Sequence, residues 1–166
     1  MNLKDLTKPL EVSEIDFRLQ SINKGGYATI LAYKDARADM NRLDEAVGAL
    51  NWKREHSRDN RNCVVSIWDA DKKQWISKED TGTESFTEKE KGLASDSFKR
   101  ACFNWGIGRE LYDMPLIQIK LNPDEFKIEG NKVRATFNFD LKKWKWGLNR
   151  NKQGEILVLG CRDSKG

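Results

Sequence analysis

The run "FTEKEKGLASDSFKRACFNWGIG", Phe86 to Gly108, limits the possible folds more than any other part of the chain. Its spacing predicts a helix from Phe86 to Trp105, with Ser85 or Thr87 as its cap. Gly106 and Gly108 end it, because two glycines in three residues disfavour further helix. A helix turns by about 100° per residue. With Leu93 at zero, Ala94, Phe98, Ala101, Cys102 and Trp105 fall in one arc centred at about 90–100°, the expected core stripe. Phe103 falls at about 280°, between Lys99 at about 240° and Arg100 at about 340°. Gly92 and Asp96 share this second face. An aromatic ring between two cations, opposite the core, has two readings. It packs under the C-terminal hairpin or against a neighbouring subunit, or it belongs to a single-stranded nucleic-acid surface. On such a surface bases stack on rings and cations follow phosphates.

The rest of the chain supplies what this helix packs against. "KDARADMNRLDEAVG" predicts a shorter helix, capped by Asp35 and stopped by Gly48. Met40, Leu43, Val47 and Leu50 mark its buried side, with Arg37 and Asn41 off that stripe. "PLEVSEIDFRLQS" predicts a short first helix, with Val12, Ile15 and Leu19 as its stripe. "NWKREHS" reads as a strand, and "CVVSIW" and "QWISKE" form a hairpin across the turn "DADKK". "LIQIKL", "EFKIEGNKVRATFNF" and "EILVLGC" read as further strands. The expected class is α+β, with one sheet face packed on helices, in a single domain over residues 1–166.

"KRACFNWGIGRELYDMP" resembles the signature of the Rad fifty-two-like single-strand annealing superfamily, most closely its phage Sak-type branch. "YKDARADMNRLDEAVGALNW" resembles that family's earlier helix, with its Arg, its Leu-Asp-Glu, its Gly stop and its Trp. "KEDTGTES" sits where the family joins its sheet to the long helix. The resemblance covers residues 10–115. Residues 116–166 add strands and a basic C-terminal segment. The resemblance implies a curved antiparallel sheet wrapped around the long helix, in subunits that form rings or open helical arrays. It implies that Lys99 and Arg100 line an inner DNA groove, that Arg37 faces the same groove, and that Gly106, Gly108 and Arg109 form the exit from the helix, with Arg109 a further candidate DNA contact. Eukaryotic members carry a further arginine where this chain has Phe103.

The implied activity is binding of single-stranded DNA and annealing of complementary strands in recombination and repair. It needs neither ATP nor metal, because base pairing provides the driving force. The sequence holds no GxxxxGK[ST] loop. The other reading of function is a single-stranded nucleic-acid-binding protein that protects strands without annealing them. An enzyme, such as a metal-dependent nuclease, is not expected. With a single histidine, His56, neither a Ser/His/Asp nor a Cys/His set is expected. "DAD" at Asp69 to Asp71 reads as a turn rather than a metal site.

Charge bears on the partner. From Pro115 onward there are 11 Lys and Arg against 6 Asp and Glu, within a chain of net charge +4. A local basic field suits a polyanion, although a solvated charged surface gives the same composition. "LKKWKWGLNRNKQ" puts Lys143 and Lys145 on one face and Trp144 and Trp146 on the other if extended. It is a hairpin strand with Trp inward, or a second DNA-contacting surface. Lys53 and Arg54 begin a strand, and Lys53 is a candidate contact. Lys24 beside Gly25 and Gly26 reads as part of a turn. Three cysteines without CxxC spacing predict no disulfide framework or zinc site. No apolar run is long enough to span a bilayer and no secretory signal is expected, so a cytoplasmic, DNA-associated location in a bacterial or phage-infected cell is expected. A host single-strand binding protein is a conceivable partner.

Overall fold

In the computed structural model, which describes residues 3–83 and 89–163, strands and helices alternate in short elements. In chain order they are β1 (Ile15–Ile22), β2 (Tyr27–Lys34), α1 (Ala36–Val47), β3 (Trp52–Ser57), β4 (Asn62–Asp69) and β5 (Gln74–Thr81). Then follow α2 (Lys89–Asn104), β6 (Ile117–Lys120), β7 (Phe126–Glu129), β8 (Lys132–Ala135), β9 (Lys145–Arg150) and β10 (Ile156–Arg162). The class is α+β with antiparallel strand pairing. The chain divides into two compact units: Met1–Pro9 with Lys34–Glu110, and Leu10–Tyr33 with Leu111–Gly166.

In the first unit, β3, β4 and β5 form a three-stranded sheet with β4 in the centre. Cys63, Val65 and Ile67 alternate along β4 and are all buried, so one face of the strand meets the core. α2 packs on β4 and β5. Of its predicted stripe, Phe98, Ala101 and Cys102 are buried, Trp105 packs beside them and Ala94 is half-buried, while Leu93, outside that arc, is buried as well. The predicted start of this helix, with Ser85 and Thr87, lies outside the described residues. Asp35 caps α1 by accepting the Arg37 backbone N–H at 2.7 Å. Gly48 ends α1 with φ of 87°, a conformation that suits glycine. That turn also explains one departure. Leu50 is 94% exposed, because the helix has stopped before the stripe reaches it.

Gly82 follows β5 where the chain leaves the sheet. A Cβ there would lie 2.6 Å from the Ser97 backbone nitrogen and 3.0 Å from Ser97 Cα. The α2 backbone cannot give way as a flexible side chain would. Gly82→Ala is therefore expected to cost about 1–3 kcal/mol, read by urea denaturation. Gly147→Ala, with nothing within 4 Å, serves as the near-neutral control. Equal stability of the two variants would contradict this packing.

In the second unit, β1, β2 and β6 form one sheet, and β7–β8 and β9–β10 form separate hairpins. Ile22, Ala28, Ile30, Leu121 and Phe139 are its buried core. The predicted first helix is absent: only Val12–Glu14 forms a 3-10 turn, and Ile15–Ile22 is a strand. Ile15, Phe17 and Leu19 satisfy a two-residue alternation as well as Ile15 and Leu19 fit a helical stripe. Pairing with β2 decides for the strand.

Candidate nucleic-acid interface

Lys99 and Arg100 are consecutive on α2, so their side chains leave the helix about 100° apart. Both are half-buried rather than sequestered. Arg100 leans toward β5, with Nε 3.4 Å from Asp80 Oδ1 and a side chain 40% exposed. One turn later Asn104 donates to the Glu79 carbonyl at 2.9 Å and to Asp80 Oδ2 at 3.2 Å. Lys78 Nζ donates to the Asn104 carbonyl at 2.7 Å and lies 4.7 Å from the Trp105 ring centroid.

Lys99 lies within electrostatic reach of the start of α1. Its charge acts on Asp35, Lys34 and Asp39. Hydrogen bonds from Arg37 hold the Asp35 carboxyl below its ordinary range, and Lys99 adds to this. Arg37 Nε lies 3.0 Å from Asp35 Oδ1, with the Arg37 side chain 80% exposed. Lys99 and Arg37 thus both act on the Asp35 carboxylate at the N-terminus of α1.

Phe103 has a partner that its sequence position does not suggest. Lys34 Nζ lies 4.0 Å from the Phe103 ring centroid, within cation–π range. Lys34 is almost fully buried, is paired with the equally buried Asp39, and donates to the Ile107 carbonyl at 2.9 Å. Burial pushes Lys34 below its ordinary range and Asp39 up to about 6. Asp39 Oδ2 finds no hydrogen-bond donor among the described residues. Burial, and then the Asp39 charge, also push the Cys102 thiol well above its usual value. A sequence signal for the pair does exist. Lys34 keeps the inward phase of Ala28 and Ile30 on β2, and Asp39 lies one turn before Leu43 on α1.

Arg109 is exposed and caps the end of α2. Its Nε donates to the Phe103 carbonyl at 2.7 Å and its Nη2 to the Asn104 carbonyl at 2.9 Å. These carbonyls lie beyond the last intrahelical bond, and they also accept the Gly106 N–H at 2.9 Å and the Lys78 ammonium at 2.7 Å respectively. Lys53 is not brought to the Lys99 group. Its register partners Ser66 and Ser77 alternate with the buried Val65 and Ile67, so it lies on the sheet face turned from α2. Lys53 Nζ pairs with Glu55 at 2.9 Å and lies 5.2 Å from the Trp75 ring. Arg54 takes the α2 side, 4.7 Å from the Phe98 ring. His56 Nδ1 lies 3.4 Å from Ser97 Oγ. Asp69 accepts the backbone N–H groups of Asp71 and Lys72, as a turn residue does.

Lys143 and Lys145 belong to the second unit. Lys143 Nζ lies 3.7 Å from Asp140 Oδ2 with its side chain 67% exposed. Lys145 opens β9 and is exposed, while Trp144 and Trp146 pack against the core of that unit. Among the described residues no group of three His, Cys, Asp or Glu is placed to hold a metal ion, and no helix is long and apolar enough to cross a membrane. Compared with protein-family models and with curated proteins, the chain matches none.

Proposed function

We propose that the chain is a non-enzymatic, homo-oligomeric protein that binds single-stranded DNA and anneals complementary strands without ATP. Lys99 and Arg37 both act on the Asp35 carboxylate at the start of α1, with the Arg37 side chain 80% exposed, and this pair of cations within the segments that resemble the single-strand annealing superfamily carries this reading. Cations of α2 and of the start of α1 hold sugar-phosphate by charge, which is the sequence-independent part of nucleic-acid affinity. Bases directed away from the cations stay free to pair with a second strand. In this reading the sheet curves around α2, and protomers line up their cationic faces into a ring or an open array. Exposed apolar side chains such as Leu116, at 73%, and Phe137, at 92%, are available to neighbouring copies.

Two labelled complementary strands, mixed with the protein without nucleotide, test the proposal. Accelerated pairing is the expected result. Strands shielded from a nuclease but paired no faster would favour the protective reading instead. Cleavage on addition of magnesium would replace both with an enzyme.

A further inference from the structure

The second unit contains an open cavity of about 490 Å³ that the proposed annealing face does not use. Phe17, Tyr33, Trp144 and Trp146 contribute aromatic walls, and Arg18 and Lys142 contribute cations. The rings are held in place before any ligand arrives. Phe17 and Trp146 stack with centroids 3.8 Å apart and planes 9° from parallel. Trp144 stands 6.4 Å from Trp146 and meets Phe139 edge-on at 5.9 Å. The Arg18 guanidinium carbon lies 5.3 Å from the Tyr33 ring centroid.

Two carboxylates also line the cavity, Asp16 and Asp140. Asp140 is engaged: it accepts the Lys142 backbone N–H at 3.1 Å and faces the Lys143 ammonium. Asp16 is exposed on β1. An ionised carboxylate only accepts hydrogen bonds, so it suits a ligand that carries an amino group.

We infer that this cavity binds a nucleotide whose base carries an exocyclic amino group, with the base against the tryptophans and the phosphate on Arg18 and Lys142. Flat rings favour a base, since every base presents a π-face. Arg18 and Lys142 offer donors to a phosphate, and Asp16 and Asp140 balance their charge in the lining. The volume admits a purine with its sugar. Lys145 takes no part, because it does not line the cavity. The inference rests on the single-strand reading only for the source of the base, which is either a DNA strand or a free nucleotide.

Indole N–H resonances of the labelled full chain report on the site directly. Deoxyadenosine monophosphate is expected to shift Trp144 and Trp146 and to leave Trp52 and Trp105 in place. Arg18→Gln with Lys142→Gln is expected to weaken that binding at least tenfold. Lys99→Ala is expected to leave it unchanged, which separates failure here from failure of the annealing proposal. Oligodeoxyadenylate that shifts the same two signals identifies a strand as the source. A response to the mononucleotide alone identifies free nucleotide. No shift with either, an unchanged affinity in the double variant, or a response to a trimethyl-lysine peptide instead would overturn the site. Equal affinity for deoxythymidine monophosphate would overturn the role of Asp16.

Discussion

Asp39→Ala is expected to destabilise the first unit by about 3–5 kcal/mol, and Lys34→Met to cost a similar amount. Each leaves one buried charge without its partner. Lys34 and Asp39 are both almost fully buried, so water cannot take over the missing interaction. The double variant Lys34→Met/Asp39→Leu is expected to recover most of the stability, because an apolar pair of similar volume carries no desolvation cost. Urea unfolding of the two singles and the double gives the coupling directly. Effects that simply add in the double variant would contradict a coupled pair.

The same pair sets a pH dependence. Asp39 titrates at about 6 in the folded chain against 3.8 for an ordinary aspartate. Between those values the folded chain keeps a proton that the unfolded chain has released. The contribution of Asp39 is therefore full below 3.8 and is lost as the pH rises through about 6. Asp39→Asn cannot titrate, so its stability is expected to lack this downward slope. The pair also ties two segments of the chain together. Lys34 touches the Phe103 ring and the Ile107 carbonyl, so it joins the chain entering α1 to the exit from α2.

Lys99→Ala and Arg109→Ala are expected to fail in different ways, although both remove a cation from one short segment. Lys99→Ala is expected to weaken binding to single-stranded DNA. Its plot of log affinity against log salt is expected to be shallower by about 0.7 for each phosphate that the variant no longer neutralises. Arg37→Ala follows the same pattern. The stability of Arg37→Ala, at a side chain 80% exposed, is expected to stay within about 0.5 kcal/mol of the parent. Arg109→Ala instead removes two exposed charge-assisted bonds to the last carbonyls of α2, which keep the Gly106 N–H and the Lys78 ammonium, and is expected to cost about 0.5–1.5 kcal/mol. Its affinity, measured on folded protein, is expected to be close to the parent's. Binding isotherms across a salt series, with urea melts of the same samples, separate the two. A steep fall in affinity in Arg109→Ala with unchanged stability would return that residue to the DNA surface.

Long periodic segments are legible in the sequence because many residues vote together. The α2 stripe, the Asp35 cap, the Gly48 stop and the β4–β5 hairpin all rest on such local signals. What is not legible depends on partners distant in the chain. Residues 10–22 fit two periods, and only pairing with β2 decides between them. Whether Lys53 or Arg54 faces α2 is a matter of parity, fixed once Trp52 is opposite Ile67. The joint action of Lys99 and Arg37 on Asp35 involves two helices, and no spacing within either one contains it. Lys34 and Asp39 escape a reading by composition because charged residues are ordinarily at the surface. Their inward phases, one on a strand and one on a helix, become a signal only when the two are weighed together.

The central claim is that the helix face bearing Lys99 holds single strands so that they can pair. The rate of annealing of two labelled complementary strands, without ATP and at equal amounts of DNA-bound protein, tests it most directly. The parent chain is expected to accelerate pairing well beyond the protein-free rate, and the Lys99→Ala/Arg100→Ala variant to lose that acceleration while remaining folded. A parent chain that binds strands yet pairs them no faster than buffer, or a variant that anneals as fast as the parent, would contradict the account.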